Sequence, residues 1–296
     1  MPIIKENKNG GKYFMNLSLE ILKFIIYSLL IVAISKYILV KLLRRLAESL
    51  ELSPKAIGNI AGIATSVPEF LTVSFSAFAG FIGTSAYNIL SSNIINFLQY
   101  IFSIFLNKNQ KSIKNKAIKI DIIMVAITII IPILMLVTNL EFNISIVPIF
   151  ILLFIFFYYI NSNVHKLYLK KEDSKFSEEI EEESKRIKGK KAIVAKYVIY
   201  LLVTAIGLYI VGNALSNVLT NLSNTFNVPE VVLGIALGFI TSLPELITFF
   251  ESQRHYKSQD SNELGVIEAT NNLLTSNILN LFVIQTIGII IYTIFG

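Results

Sequence analysis

At 296 residues, 54% hydrophobic and only 16% charged, with a mean hydropathy of +0.65, the chain lacks the polar surface of a soluble domain, which carries about a quarter charged residues. It contains no cysteine, which excludes disulfides, zinc-thiolate sites, iron–sulfur ligation and cysteine nucleophiles together. Its two histidines, His165 and His255, lie in polar stretches, so histidine triads and histidine-rich metal sites are not expected. The excess of 26 basic over 20 acidic residues gives +6, which in so hydrophobic a chain belongs to basic cytoplasmic loops rather than to nucleic-acid binding. The sequence therefore reads as an all-α polytopic membrane protein.

About 20 mostly apolar residues are needed to cross the hydrocarbon layer. Taken in order, the charge-poor runs predict eight helices, at 17–43, 55–79, 84–106, 120–138, 144–164, 192–221, 229–250 and 266–294. In the first, Lys23 and Lys36 bracket only twelve uncharged residues; both could snorkel from a long tilted helix. The rival reading is a signal peptide ending near Ala33-Ile34-Ser35, opposed by the apolar pattern that resumes through Leu43. The run from Phe70 to Asn107 holds Gly80 and Gly83, suited to a turn between the second and third helices. Asn224 to Pro229 reads as a turn before the seventh.

Basic residues fall in alternate loops. Arg44, Arg45 and Lys55 follow the first helix, Lys108 to Lys119 the third, Lys166 to Lys191 the fifth, and Arg254 and Lys257 the seventh; the loops near 79–83, 138–143 and 221–227 have no Lys or Arg. The positive-inside rule then puts both termini outside the cell membrane and the 165–191 linker in the cytoplasm, although Lys5, Lys8 and Lys12 pull the other way. That linker carries nine basic and seven acidic residues, with an acidic block from Glu178 to Glu183. A solvated linker is its plain reading; a regulatory cation site would need turn-forming ligand spacing that the block lacks.

Aligned with itself, the chain repeats. Gly58 to Thr72 matches Gly234 to Thr248 at seven of fifteen positions, including Gly62/Gly238, Thr65/Thr241, Ser66/Ser242, Pro68/Pro244 and Glu69/Glu245. A second block, Leu90 to Asn96, matches Leu274 to Asn280, and the polar stretch 252–263 absorbs eight extra residues between the blocks. Five helices separate the start of one copy from the start of the other, and an odd number inverts the second copy. The expected units are 1–164, the linker 165–191, and 192–296. Inverted repeats with interrupted helices are a recurring transporter design, with the site where the copies meet.

Glu69 and Glu245 read as the only carboxylates deep within predicted spans, where charge is costly and marks an ion path or proton relay; the alternative is a protonated or internally paired structural carboxylate. Each follows a proline that cannot donate a backbone hydrogen bond, so the helices should break and leave carbonyls near 62–65 and 238–241 unpaired. Around them the chemistry is all oxygen, suited to hard cations. Ser92 and Asn96, like Ser276 and Asn280, are four apart and share a helix face. Asn93 and Asn277 fit equally as interhelical glue or as ligands.

The paired Thr-Ser-x-Pro-Glu segments, each followed by Ser-Asn-Ile-x-Asn, resemble the two alpha-repeats of the sodium/calcium exchanger family within the cation/calcium antiporter superfamily. The resemblance implies an alternating-access antiporter, not an enzyme and without cofactors, exchanging calcium for sodium. It implies that Glu69 and Glu245 are shared ligands, that Thr65, Ser66, Thr241, Ser242, Ser92 and Ser276 complete the sodium sites, and that Gly62 and Gly238 offer carbonyls. Asn96 and Asn280 fill the remaining polar positions. Asn280 stands where some prokaryotic members and potassium-dependent relatives carry an acid, which leaves a formal −2 and argues against potassium co-transport. The family's second half continues with two further helices, so either a partner such as a second copy supplies that surface or this member is minimal. Two other readings remain: a calcium/proton antiporter in which the two glutamates titrate, and a non-transporting cation-binding membrane protein or assembly subunit. No Ser–His pair, HExxH motif or aspartyl pair supports an intramembrane enzyme.

Overall fold

The computed structural model describes residues 8–49, 54–114, 116–138, 142–169, 191–257 and 262–296. Among these residues every regular element is helical. Seven helices are long and apolar enough to cross a membrane: Met15–Leu43, Ile57–Phe78, Ile82–Leu106, Ile118–Met135, Ala195–Thr225, Glu230–Lys257 and Leu264–Phe295. The eighth expected span is a shorter apolar helix, Ile144–Ile160, inside a helix that continues to Leu169. Most of the charged linker, with its acidic block, lies outside the described residues.

The first span is one continuous helix made of α1 (Lys8–Ile34), a π-helical turn (Ser35–Val40) and α2 (Lys41–Ser49). Its lysines do not rely on snorkelling alone. Lys23 pairs with Glu20 at 2.7 Å, whose other oxygen accepts from Asn221 at 3.4 Å. Lys36 sits 4.3 Å from the centre of the Tyr37 ring, a favourable place for a cation beside lipid.

The second span is interrupted where the proline requires it. α3 (Pro54–Thr65) ends, Ser66 takes φ −80° and ψ −1°, and α4 (Val67–Phe78) restarts with Pro68 in its first turn, where a missing N–H costs nothing. Gly80, at φ +88°, reverses the chain into α5 (Ile82–Leu106). Gly83, also expected in that turn, is instead inside α5, where Glu230 lies so close that a Cβ would meet its Oε2 at 2.7 Å; the same carboxylate accepts from the Thr84 N–H at 2.9 Å and so caps α5. α6 (Lys116–Val137) and α7 (Val147–Leu169) follow.

The second copy repeats the pattern. α8 (Lys191–Thr220) ends in a π-helical turn, Asn221–Thr225. α9 (Glu230–Thr241) stops at Ser242 with φ −77° and ψ −2°, α10 (Leu243–Lys257) restarts behind Pro244, and α11 (Asn262–Ile278) runs through a π-helical turn (Leu279–Ile284) into α12 (Gln285–Phe295).

The copies cross at two glycine seams. Gly58 lies against Glu268 and Asn271 and Gly62 against Asn272 and Thr275; Gly234 lies against Thr84 and Tyr87 and Gly238 against Asn88 and Ser91. Residue numbers rise together on both sides of each seam, so α3 runs parallel to α11 and α9 parallel to α5. Because α4 and α5 form a hairpin, α9 runs opposite to α3: the second copy is inverted. Each seam is a Gly-x-x-x-Gly stripe that lets two backbones approach closely.

Polarity is reversed relative to a soluble protein. Large apolar side chains such as Leu98, Phe102, Leu152, Ile199, Leu202 and Ile206 are exposed, as lipid permits. Serines, threonines and asparagines fill the interior. One apolar cluster joins α1 and α8 (Phe24, Ile31, Leu215, Leu219) to Leu233 and Leu237 of α9. A second cluster binds α5, α6, α7 and α11 together, with Tyr100, Val125, Phe150 and Leu274 among its members.

Candidate functional site

The two helix interruptions place Thr65, Ser66, Glu69, Thr241, Ser242 and Glu245 at the crossing of the copies, and the third and eighth spans bring Ser92, Asn96, Ser276 and Asn280 against them. All ten side chains are buried. Glu69 and Glu245 are fully inaccessible, and each carboxyl lies within Coulombic range of the other. Thr241 stands beside Glu69 and Thr65 beside Glu245, so each acid is faced by a hydroxyl of the opposite copy.

Of the carbonyls expected to be bare, those of Gly62 and Gly238 are taken. Gly62 O accepts from the Ser66 N–H at 3.2 Å and the Ser66 hydroxyl at 2.8 Å. Gly238 O accepts from the Ser242 N–H at 3.2 Å and hydroxyl at 2.7 Å. The serine after each threonine therefore closes the last turn before the proline, and its hydroxyl oxygen keeps lone pairs for another partner.

Asparagines hold the crossing together. Asn93 Nδ2 donates to the Asn277 carbonyl at 3.2 Å and Asn277 Nδ2 to the Asn93 carbonyl at 3.1 Å, so this pair is interhelical glue. Their side-chain oxygens accept from Asn280 Nδ2 at 3.1 Å and Asn96 Nδ2 at 3.3 Å. With their nitrogens engaged, Asn96 and Asn280 are left with buried oxygens that have no protein partner, as are both oxygens of Glu69 and Oε2 of Glu245. Five acceptors without a donor are an unusual concentration, because buried polar atoms are nearly always paired.

The arrangement is not symmetric in detail. Ser276 donates to Glu245 Oε1 at 3.0 Å and lies 2.9 Å from the Ser66 hydroxyl, whereas Ser92 donates to the Asn88 carbonyl at 2.9 Å. Glu69 thus keeps both oxygens open and Glu245 only one.

Two residue pairs at the site were not anticipated. Asn88 donates to Thr72 at 2.6 Å and accepts from Thr241 at 3.5 Å; Asn272 donates to Thr248 at 2.6 Å and accepts from Thr65 at 3.3 Å. Each amide ties a threonine of its own copy to the opposite copy's threonine that stands beside its own copy's glutamate. The signal was present, since extending the second repeated block upstream by two residues pairs Asn88 with Asn272. Asn272→Ala removes both links at once and is expected to cost about 2 kcal/mol, two hydrogen bonds at roughly 1 kcal/mol each, read as a lower unfolding temperature in detergent.

Two further acids are buried, Asp121 and Glu268, each 1% exposed. Both fall near the ends of their spans, where hydropathy cannot distinguish a packed position from a solvated one. Even so, no group of three or more His, Cys, Asp or Glu side chains converges among the described residues. Any ion held here would take most of its ligands from neutral oxygens.

A family model described as sodium/calcium exchanger protein matches residues 21–163 and 196–295, leaving out most of the charged linker. No curated protein and no solved structure matches the chain.

Proposed function

The chain belongs to the sodium/calcium exchanger family, and from that premise we propose that it is an antiporter that exchanges calcium for sodium through the buried site between its two copies. One observation carries this reading: five buried oxygens, three of them on carboxylates, have no protein partner. Burying two carboxylates costs several kcal/mol per charge, and a bound cation offsets that cost. The formal −2 of Glu69 and Glu245 balances one calcium ion. Asn96 and Asn280 add neutral oxygens toward the six to eight that calcium takes.

Sodium would displace calcium by occupying overlapping ligands, with Thr65, Ser66, Ser92, Thr241, Ser242 and Ser276 contributing hydroxyl oxygens. The Gly62 and Gly238 carbonyls would join only by sharing with the serine hydroxyls they already accept from. Both ion sets neutralise the same charge, so the site is filled by one or the other, and that exclusion couples the fluxes.

Alternating exposure would come from α1 and α8 sliding as a pair over the core. Apolar side chains form much of the contact they make with α9, and such a surface has few directional bonds to break. The basic loops would face the cytoplasm and both termini the outside, by the positive-inside rule.

The rival carrier exchanges calcium for protons. The hydroxyl-rich surroundings favour sodium, because a proton needs no cage of oxygens. Reconstituted protein loaded with calcium should release it when an inward sodium gradient is imposed and not when a pH gradient of equal driving force is imposed. Release driven by pH alone would replace sodium with protons in this reading.

A further inference from the structure

Gln285 is fully buried, yet neither its Nε2 nor its Oε1 has a protein partner. Interhelical glue does not explain it, because glue needs a partner. Helix capping does not either, because α12 continues unbroken out of the π-helical turn.

Its position follows from that turn. In a regular α-helix a residue five places on is rotated by about 140°, which would point Gln285 away from the face of Asn280. Here the Gln285 N–H donates to the Asn280 carbonyl, the five-residue bond of a π-helical turn. Gln285 therefore stacks one turn beyond Asn280. Wide turns of this kind recur at functional sites.

The neighbouring layer offers a second oxygen without a partner. A Cβ at Gly288, one turn further along α12, would stand 2.7 Å from Val73 and 3.0 Å from the Ser85 hydroxyl, and Val73 is one turn beyond Glu69 on α4. Ser85 is fully buried and its hydroxyl, like the amide of Gln285, has no protein partner. Gln285 thus lies between the layer of Glu69 and Asn280 and the layer of Ser85, on the side of the Gly80 turn. The first copy has no equivalent, since the corresponding position is Ile101.

We propose that Gln285 and Ser85 form a cation subsite built from neutral oxygens, one helical turn beyond the central carboxylates toward the Gly80 turn, which takes sodium and not calcium. It rests on the exchange reading above for its role in transport. Calcium takes neutral oxygens too, but its double charge is balanced only beside the two carboxylates; a site with no carboxylate of its own leaves a single charge less exposed than a double one and so favours sodium. A sodium ion here adds to the positive charge facing Glu69 and favours release of calcium from it.

The test is calcium titration of the purified protein in detergent, first without sodium and then at rising sodium chloride. In Gln285→Ala the sodium concentration that half-displaces calcium should rise about threefold or more, equivalent to roughly 0.7 kcal/mol, while calcium affinity without sodium stays unchanged. Ser85→Ala, which removes only a hydroxyl, should shift sodium in the same direction and stands in if Gln285→Ala does not fold. An unchanged sodium dependence overturns the subsite. So does a parallel loss of calcium affinity in sodium-free buffer, which would make Gln285 a structural or central residue. If the wild type itself binds no calcium, the exchange reading fails; a direct sodium titration of wild type against Gln285→Ala then tests the subsite alone, and equal sodium binding by the two overturns it.

Discussion

Glu69→Gln and Glu245→Gln are each expected to abolish calcium uptake into sodium-loaded proteoliposomes, with the loss greater for Glu69. Each substitution removes one of the two formal charges that balance calcium. Breaking a buried charged pair costs about 3–5 kcal/mol, and 3 kcal/mol is already more than a hundredfold in affinity. Glu69 offers both oxygens without a protein partner, while Ser276 already donates to one oxygen of Glu245. The glutamine variants keep the shape of the side chain, so loss of uptake with an unchanged unfolding temperature assigns the effect to charge. Unchanged uptake in both variants would remove the two acids from the transport site.

The second large effect is steric. A Cβ on Gly238 would lie 2.7 Å from the Asn88 carbonyl and 2.9 Å from the Ser92 N–H, and on Gly62 2.7 Å from the Asn272 carbonyl. These neighbours are backbone and cannot rotate aside, so alanine at either position forces the paired helices apart. The expected cost is about 1–3 kcal/mol, as for other overpacked interiors. Uptake should fall further than stability does, because the displaced residues are the ones that position Thr241, Thr65 and Ser92. Gly207→Ala is the control: a Cβ there meets nothing within 4 Å, and alanine favours a helix by about 1 kcal/mol over glycine. Unfolding temperature in detergent and uptake, measured on all three variants, check this. If Gly238→Ala behaved like Gly207→Ala, the close seam between α9 and α5 would be wrong.

Much of the site was legible because the chain carries it twice. A chance Pro-Glu in an apolar run means little, but two at matching offsets, each trailed by Ser-Asn-Ile-x-Asn, mark one constellation. The repeat gave Glu69 and Glu245, the hydroxyls beside them and the inversion of the second copy. The same method missed what does not repeat. Gln285 has Ile101 as its counterpart, and its inward position depends on a π-helical turn that periodicity does not reveal. Lys23 reads as a snorkelling charge from composition alone, because whether Glu20, three residues before it, turns to pair with it is set by the helix geometry.

The surroundings of Gly62, Gly238, Asn93 and Asn277 emerge only in three dimensions. The glycines, expected to offer carbonyls to an ion, sit at helix seams with carbonyls that already accept from serines and would be shared rather than free. The asparagines were open between ligand and glue until the reciprocal bonds across the seam made them glue.

The order of the residues alone determined that this chain belongs in a membrane, where its apolar stretches fall, and that two acids must be hidden there, because hydrophobic length and the cost of buried charge are properties of the covalent chain. Tertiary structure decided which oxygens are left for an ion. A hydrogen bond depends on direction as well as identity, and whether an amide presents its nitrogen or its oxygen to the centre is set by the helix packed against it.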